Sequence, residues 1–241
     1  MTAIGFIYPD HAAEDDYPRA GALLDADLRI AHIYGTDLHA VPELLDLGSP
    51  DKLRHGAELL AEHAPAAVVW ACTSGSFVYG PDGAREQVRG LGAAAGVPAS
   101  STSFAFVNAA RAIGVARVAV CASYPDEVAK LFVDFLAAEG IRVVSMSSAG
   151  IDTAAEVGTL SPERVLELAI ANDHPEAQAL LIPDTAMHTV EVLPRLEAAL
   201  GKPVLTANQV TVWEGLRLAG YAPVSPSLGR LFSERLVHAG H

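Results

Sequence analysis

Short apolar runs, each of strand length, recur along the chain at 3–8 (AIGFIY), 28–34 (LRIAHIY), 66–71 (AAVVWA), 117–122 (RVAVCA), 141–146 (IRVVSM), 178–183 (QALLIP) and 203–206 (PVLT). Between them the apolar positions fall at helical spacing, as in 126–139 (DEVAKLFVDFLAAE) and 190–200 (VEVLPRLEAAL). Strands that are apolar nearly throughout are covered on both faces, and their alternation with helices is the pattern of a parallel sheet. The pattern predicts an α/β protein.

The pattern also repeats. "GVPASSTSFAFVNAARAIG" (96–114) is echoed by "GKPVLTANQVTVWEGLRLAG" (201–220), "AVVWACTSGS" (67–76) by "ALLIPDTAMH" (179–188), and "IGFIYP" (4–9) by "VAVCASYP" (118–125). Self-similarity of this kind implies two copies of one supersecondary unit. The expected architecture is two pseudo-symmetric Rossmann-like halves, 1–114 and 115–241, with the C-terminal helix packing back on the first. Each half is a parallel four-stranded sheet flanked by helices. Ligands of open α/β sheets bind beyond the carboxyl ends of the strands. Two facing halves therefore gather four such ends around one cleft: Pro9 to His11, Cys72 to Ser76, Tyr124 to Asp126, and Asp184 to His188. In this register Cys72 lies opposite Asp184.

Composition narrows the partners. A hydrophobic content of 51% over 241 residues supports a sizeable core. The formal charge is −13, and the three lysines and thirteen arginines are scattered, which argues against nucleic acid. "MTAIGFIYPDHAAEDD" has no basic start before its apolar run, and no apolar stretch approaches the roughly 20 residues that span a bilayer. A cytoplasmic protein without a membrane partner is expected, with Cys72 and Cys121 as reduced thiols. None of the nine histidines falls in an HxH, HExxH or Cys/His spacing, and neither a phosphate loop nor GxGxxG follows the first run. No metal and no other cofactor is expected.

The candidate chemistry centres on Cys72. It ends its strand and precedes Thr73, Ser74, Gly75 and Ser76, whose amides and hydroxyls can converge on an anion. That setting predicts a thiol pKa lowered from about 8.5 and a competent base or nucleophile. Packing alone accounts for Cys121 inside "RVAVCAS". Asp184 terminates the run "ALLI", where an N-cap and a site carboxylate are both readings of the position. Tyr124 offers either a core wedge or a hydrogen bond to a bound carboxylate, and Pro9, Asp10 and His11 occupy the matching loop of the first half.

The collinear segments "ACTSGSFVYG" (71–80), "STSFAFVNAARAIGVARVAVCASYPDEV" (101–128), "LGKPVLTANQVTVWEGLRLAG" (200–220) and "GRLF" (229–232) resemble the aspartate/glutamate racemase superfamily, in its branch of maleate isomerases and arylmalonate decarboxylases. The resemblance implies cofactor-free chemistry at the carbon next to a carboxylate of a small acid, by a monomer or homodimer. Racemases of this kind place one thiol on each face of the substrate, and maleate isomerases keep two cysteines. Arylmalonate decarboxylases keep only a thiol in the second half, with glycine at the first position. This chain departs from each, with Cys72 in the first half and Asp184 in the second. A normal Asp and a normal Cys differ by roughly 6 kcal/mol in proton affinity, so reversible two-face proton traffic is disfavoured. Decarboxylation of a malonate-type acid, with Cys72 protonating the enediolate, comes first. Its product should have the handedness opposite to that of a decarboxylase whose thiol lies in the second half. Thr73, Ser74 and Tyr124 would hold the retained carboxylate, with Thr185, Pro9, Asp10 and Ser103 completing the substrate-binding set.

Three alternatives stand beside it. Cys72 as nucleophile or base would serve a maleate-type cis–trans isomerase or a racemase. A cysteine hydrolase would use His11 or His188 as base, oriented by Asp10 or Asp184. A protein that kept the cleft and lost catalysis would bind a small acid without turning it over.

Overall fold

The computed structural model describes residues 2–233; residues 234–241 of the second expected half lie outside it. In chain order the first half runs β1 (Ile4–Pro9), α1 (Asp16–Leu24), β2 (Leu28–Ile33), α2 (Val41–Leu47), α3 (Pro50–Leu60), β3 (Ala67–Trp70), α4 (Ser74–Phe77), α5 (Gly80–Ala95), β4 (Ala99–Ser101) and α6 (Thr102–Ala112). The second runs β5 (Arg117–Ala122), α7 (Asp126–Ala138), β6 (Arg142–Ser148), α8 (Ala154–Gly158), α9 (Pro162–Ala171), β7 (Ala179–Ile182), α10 (Leu193–Leu200), β8 (Val204–Thr206) and α11 (Ala207–Leu218).

Each half is one parallel four-stranded sheet, and the strand orders β2-β1-β3-β4 and β6-β5-β7-β8 are the same order four strands later. All six strand pairings are parallel. The central strands β3 and β7 are buried along their whole length, as apolar strands sandwiched between helices must be. β4 escaped the apolar-run reading because it is three residues long and reads Ala-Ser-Ser. α10 starts three residues later than the apolar spacing predicts. Pro194 sits in its first turn, where the missing N–H costs nothing, and a proline further inside would break the ladder.

The two halves share one core. α6 and α11 pack side by side, and α11 also lies on β1, β3 and β4 of the first sheet. Its approach is close: a side chain at Gly215 would meet Ile4 at 2.6 Å. Between the two helices Thr102 Oγ1 and Thr211 Oγ1 are 2.6 Å apart, and Asn108 donates to Glu214 at 2.9 Å. α7 presents Val128, Ala129, Phe132, Phe135 and Leu136 inward on one stripe. Phe132 packs against Phe77 and Phe106 of the first half, so the largest apolar cluster runs unbroken from one sheet to the other. Emptying such an aromatic site costs about 3–5 kcal/mol.

A buried carboxylate also ties the halves. Asp16, at the start of α1, accepts from the Thr189 and Val190 amides at 2.9 and 3.3 Å and from Asn208 Nδ2 at 3.0 Å. Its pKa is raised by burial, against the pull of these donors. Among the described residues no helix is long and apolar enough to cross a membrane.

Candidate active site

Cys72 and Asp184 each stand two residues past the end of the central strand of their sheet, β3 and β7. Both are buried, and both line one cavity between the two sheets. The cavity encloses about 40 Å³, room for roughly three waters. Of the residues expected at the site, Pro9, Asp10, Cys72, Ser74, Asp184 and Thr185 line it. Thr73, Tyr124 and Ser103 stand behind this lining. Thr73 is buried, with a hydroxyl that makes no hydrogen bond within the protein, and Ser103 Oγ donates to the Thr73 carbonyl at 2.8 Å. Tyr124 donates its phenol to the Pro183 carbonyl at 2.7 Å.

The sulfur sits over the first turn of α4. Cys72 Sγ accepts from the Gly75 amide at 3.3 Å and lies 3.7 Å from Ser74 Oγ. Only glycine fits at 75, because a Cβ there would come within 2.9 Å of the Trp70 ring and 3.1 Å of the sulfur. Gln87 fixes this turn from below, donating to the Gly48 and Gly75 carbonyls at 2.8 Å each. The expectation of a lowered thiol pKa is corrected here. Burial pushes Cys72 up to about 11; the Gly75 amide and Ser74 pull down less strongly, and the charge of Asp184 pushes it up again. The converging amides are real, but one N–H bond at 3.3 Å does not offset removal from water. Cys72 is a neutral, proton-carrying thiol.

Asp184 is held from three sides. Its Oδ1 accepts from the Ala186 amide at 2.9 Å, its Oδ2 accepts from the Ser123 hydroxyl, and His39 Nε2 lies 3.8 Å from Oδ2. His39 is buried, donates from Nδ1 to the Ile151 carbonyl at 3.0 Å and stands edge-on to Tyr124, with ring centroids 4.9 Å apart. Tyr8 crosses from the other half, donating to the Thr185 carbonyl at 2.8 Å and accepting from the Ala13 amide at 3.0 Å. Burial holds the Tyr8 and Tyr124 phenols well above the ordinary range, with further contributions from Tyr17 at Tyr8 and from Asp184 at Tyr124. Sequence reasoning did not single out His39, Ser123 or Tyr8. Tyr8 ends the same strand run as Pro9 and Ser123 precedes Tyr124, so strand-end position could have found both, whereas nothing in "TDLHAV" marks His39.

A clasp between the halves borders the cavity, with Asp37, Leu38, His39 and Ala154 in its lining. The loop after β2 meets the loop after β6: His39 N donates to the Asp152 carbonyl at 2.7 Å, Ala154 N to the Asp37 carbonyl at 3.0 Å, and Leu38 pairs with Thr153 as an isolated bridge.

His11 and His188 do not join the cavity. His11 pairs with Glu14 at 2.7 Å and His188 with Asp15 at 2.7 Å. Among the described residues one group of side chains is close enough to share an ion, His11, Glu14 and His32, at the outer rim. Within it, Nδ1 of each imidazole is already engaged, by Glu14 and by the Asp10 carbonyl. Cys121 is a free, buried thiol in the second apolar cluster, with its pKa raised to about 11 by burial.

Comparison with known proteins agrees with this architecture. The chain is 30% identical over 229 residues to arylmalonate decarboxylase of Bordetella bronchiseptica, covering 90% of this chain and 94% of that protein. It is 29% identical over 138 residues to the maleate isomerase of Alcaligenes faecalis, covering 57% and 54%. A crystal structure of an arylmalonate decarboxylase double variant, with one glycine changed to cysteine and one cysteine to serine, superposes with a TM-score of 0.86 at 27% identity, over 97% of this chain and 99% of that one. The family model for arylmalonate decarboxylase matches residues 4–232. With both sheets, the cleft and nearly the whole described chain inside that match, this protein belongs to the arylmalonate decarboxylase family.

Proposed function

We propose that the protein is a cofactor-independent lyase that decarboxylates a small malonate-type acid, with Cys72 as the proton donor. The observation that carries this reading is a buried thiol at a strand end, lining the cleft together with Asp184, where burial favours the protonated form. A thiol with a pKa of about 11 leaves about one molecule in 10⁴ as thiolate at pH 7, a deficit worth roughly 5 kcal/mol. Such a group suits donation and is poorly suited to nucleophilic addition or proton abstraction.

In this reading one carboxylate of the bound acid leaves as carbon dioxide, and the electron pair of the broken C–C bond passes into the remaining carboxylate to give an enediolate. The thiol proton moves to the α-carbon. The thiolate then takes a proton from solvent, which restores the starting state. Ser74, which lines the cavity 3.7 Å from the sulfur, can donate its hydroxyl to the retained carboxylate, with Thr73 and its unpartnered hydroxyl directly behind it. Fixed donors aimed at developing charge are commonly the largest catalytic contribution.

A second reading, cis–trans isomerisation of a short unsaturated diacid, is favoured by the 29% identity over 138 residues to a maleate isomerase. It requires the thiolate that burial disfavours. Purified protein given phenylmalonate, methylmalonate and maleate should release carbon dioxide from a malonate and form no fumarate. Cys72→Ala should lower that turnover by about 10²–10⁴-fold, the usual contribution of a general acid. Full turnover in Cys72→Ala, or fumarate as the product, overturns the assignment.

A further inference from the structure

The cavity has the wrong charge for the substrate its family implies. Among the described residues three carboxylates, Asp10, Asp37 and Asp184, line it, no lysine or arginine does, and the one lining side chain that can become a cation is His39. We propose that His39 carries a hydrogen on each ring nitrogen and forms an ion pair with Asp184, so that the second half presents a net-neutral pair to a bound dicarboxylate instead of a bare anion. This rests on the reading of the cleft as a site for a small diacid, and it makes His39 a positioning residue for that reaction.

The hydrogen-bond pattern carries the argument. A carbonyl only accepts, so the 3.0 Å contact with the Ile151 carbonyl places a hydrogen on His39 Nδ1. With that tautomer and no further proton, Nε2 turns a lone pair toward Asp184 Oδ2 at 3.8 Å. Two acceptors would then face each other where the side chains are 5% and 4% exposed. A proton on Nε2 converts the repulsion into an ion pair. Asp184 is built to be the anionic member, since its other contacts, the Ala186 amide and the Ser123 hydroxyl, are both donors. Imidazole is the stronger base of the two, and at 3.8 Å the proton stays on the ring as one partner of a charge pair.

The other titratable groups around the ring fit this state. Tyr124 lies against it from the second half, and Tyr8 and Asp10 at the end of β1, Asp37 on the same loop and Cys72 beyond share the cavity. Of these, the two phenols and the thiol are held neutral by burial. Asp37 is turned to the clasp, its Oδ2 accepting from the Ala155 amide at 3.4 Å. The pair also explains how a carboxylate can occupy the place opposite the thiol without repelling the substrate.

Two measurements test this. Nitrogen-15 NMR of the wild-type histidine side chains, with the His39 signal assigned from the spectrum of His39→Gln, should show both ring nitrogens protonated near pH 7. In Asp184→Asn the same ring should revert to the neutral Nδ1–H tautomer. This readout needs no turnover, so it separates the pair from the decarboxylase reading. A neutral His39 that is indifferent to Asp184→Asn overturns the proposal. In kinetics, or in calorimetry with malonate as the probe, His39→Gln should raise KM or Kd at least tenfold by leaving Asp184 bare. His39→Gln/Asp184→Asn should recover most of that loss, because the second half is neutral again. A purely structural role for His39 predicts no recovery, and a double variant as weak as His39→Gln overturns the proposal. If His39→Gln fails to fold, His39→Asn supplies the assignment, and the spectra of the wild type and Asp184→Asn decide.

Discussion

Past β3 the chain turns through Cys72, Thr73 and Ser74, and past β7, at the equivalent place, through Asp184, Thr185 and Ala186. The backbones do the same job, and the side chains are provided for differently. The sulfur needs little: one amide at 3.3 Å and a neighbouring hydroxyl, because a protonated thiol is nearly apolar and burial favours that form. The carboxylate takes an amide, a hydroxyl and an imidazole, because an ionised group out of water must be matched by donors. A two-fold scaffold therefore does not impose two-fold chemistry. The few groups around each strand end differ, and with them the chemistry each end can offer.

The sharpest way to break this comparison is to exchange the ends. Cys72→Gly/Asp184→Cys moves the thiol to the other face of the cleft and should invert the handedness of the acid formed from a prochiral methyl-substituted malonate. Chiral chromatography of the product reads this directly. An unchanged enantiomer would mean that the protonated face is not set by where the thiol stands.

The next largest effect concerns how the ends are kept in register. Asp16→Ala strands the Thr189 and Val190 amides without their acceptor, while Asn208 keeps the Thr185 and Met187 carbonyls, a loss of about 3 kcal/mol for the buried donors. For a chain of this length that corresponds to a Tm lower by roughly 6–12 °C in calorimetry. A shift under 2 °C would show that the shared apolar core alone aligns the halves.

The smallest effect is a titration. A thiol raised from an ordinary 9.0 to about 11 is neutral in the fold while it already ionises in the unfolded chain. The stability present below pH 9 is therefore lost as the pH rises toward 11, by about 3 kcal/mol for Cys72. In Cys121→Ser, which removes the other thiol, thiolate absorbance should rise with a midpoint near 11. A midpoint below about 8.5 would restore the reactive thiol that the sequence alone predicts.

That last contrast marks what the sequence could carry. The paired strand orders, the cleft and the facing of Cys72 with Asp184 follow from periodicity and repetition, which are local properties of the chain. β4 was harder because Ala-Ser-Ser carries no apolar signal, and its existence came through the repeat around it. The thiol's proton affinity was read in the wrong direction because it depends on how much water reaches the sulfur, a property of the packing of Trp70, Gly75 and the second half together. His39 was invisible for the same reason. Its partners Ile151 and Asp184 belong to the other half, and no spacing in "TDLHAVPELL" announces them.

The helix pair α6 and α11, with the core that runs through it, locks the two sheets to each other, while the opening between them is bridged by a handful of backbone contacts from 37–39 to 151–154. Rigidity and admission are thus assigned to separate parts of the molecule. Grafting longer or more apolar sequences into those two loops would reshape the border of the cavity while leaving the helix pair and the shared core untouched.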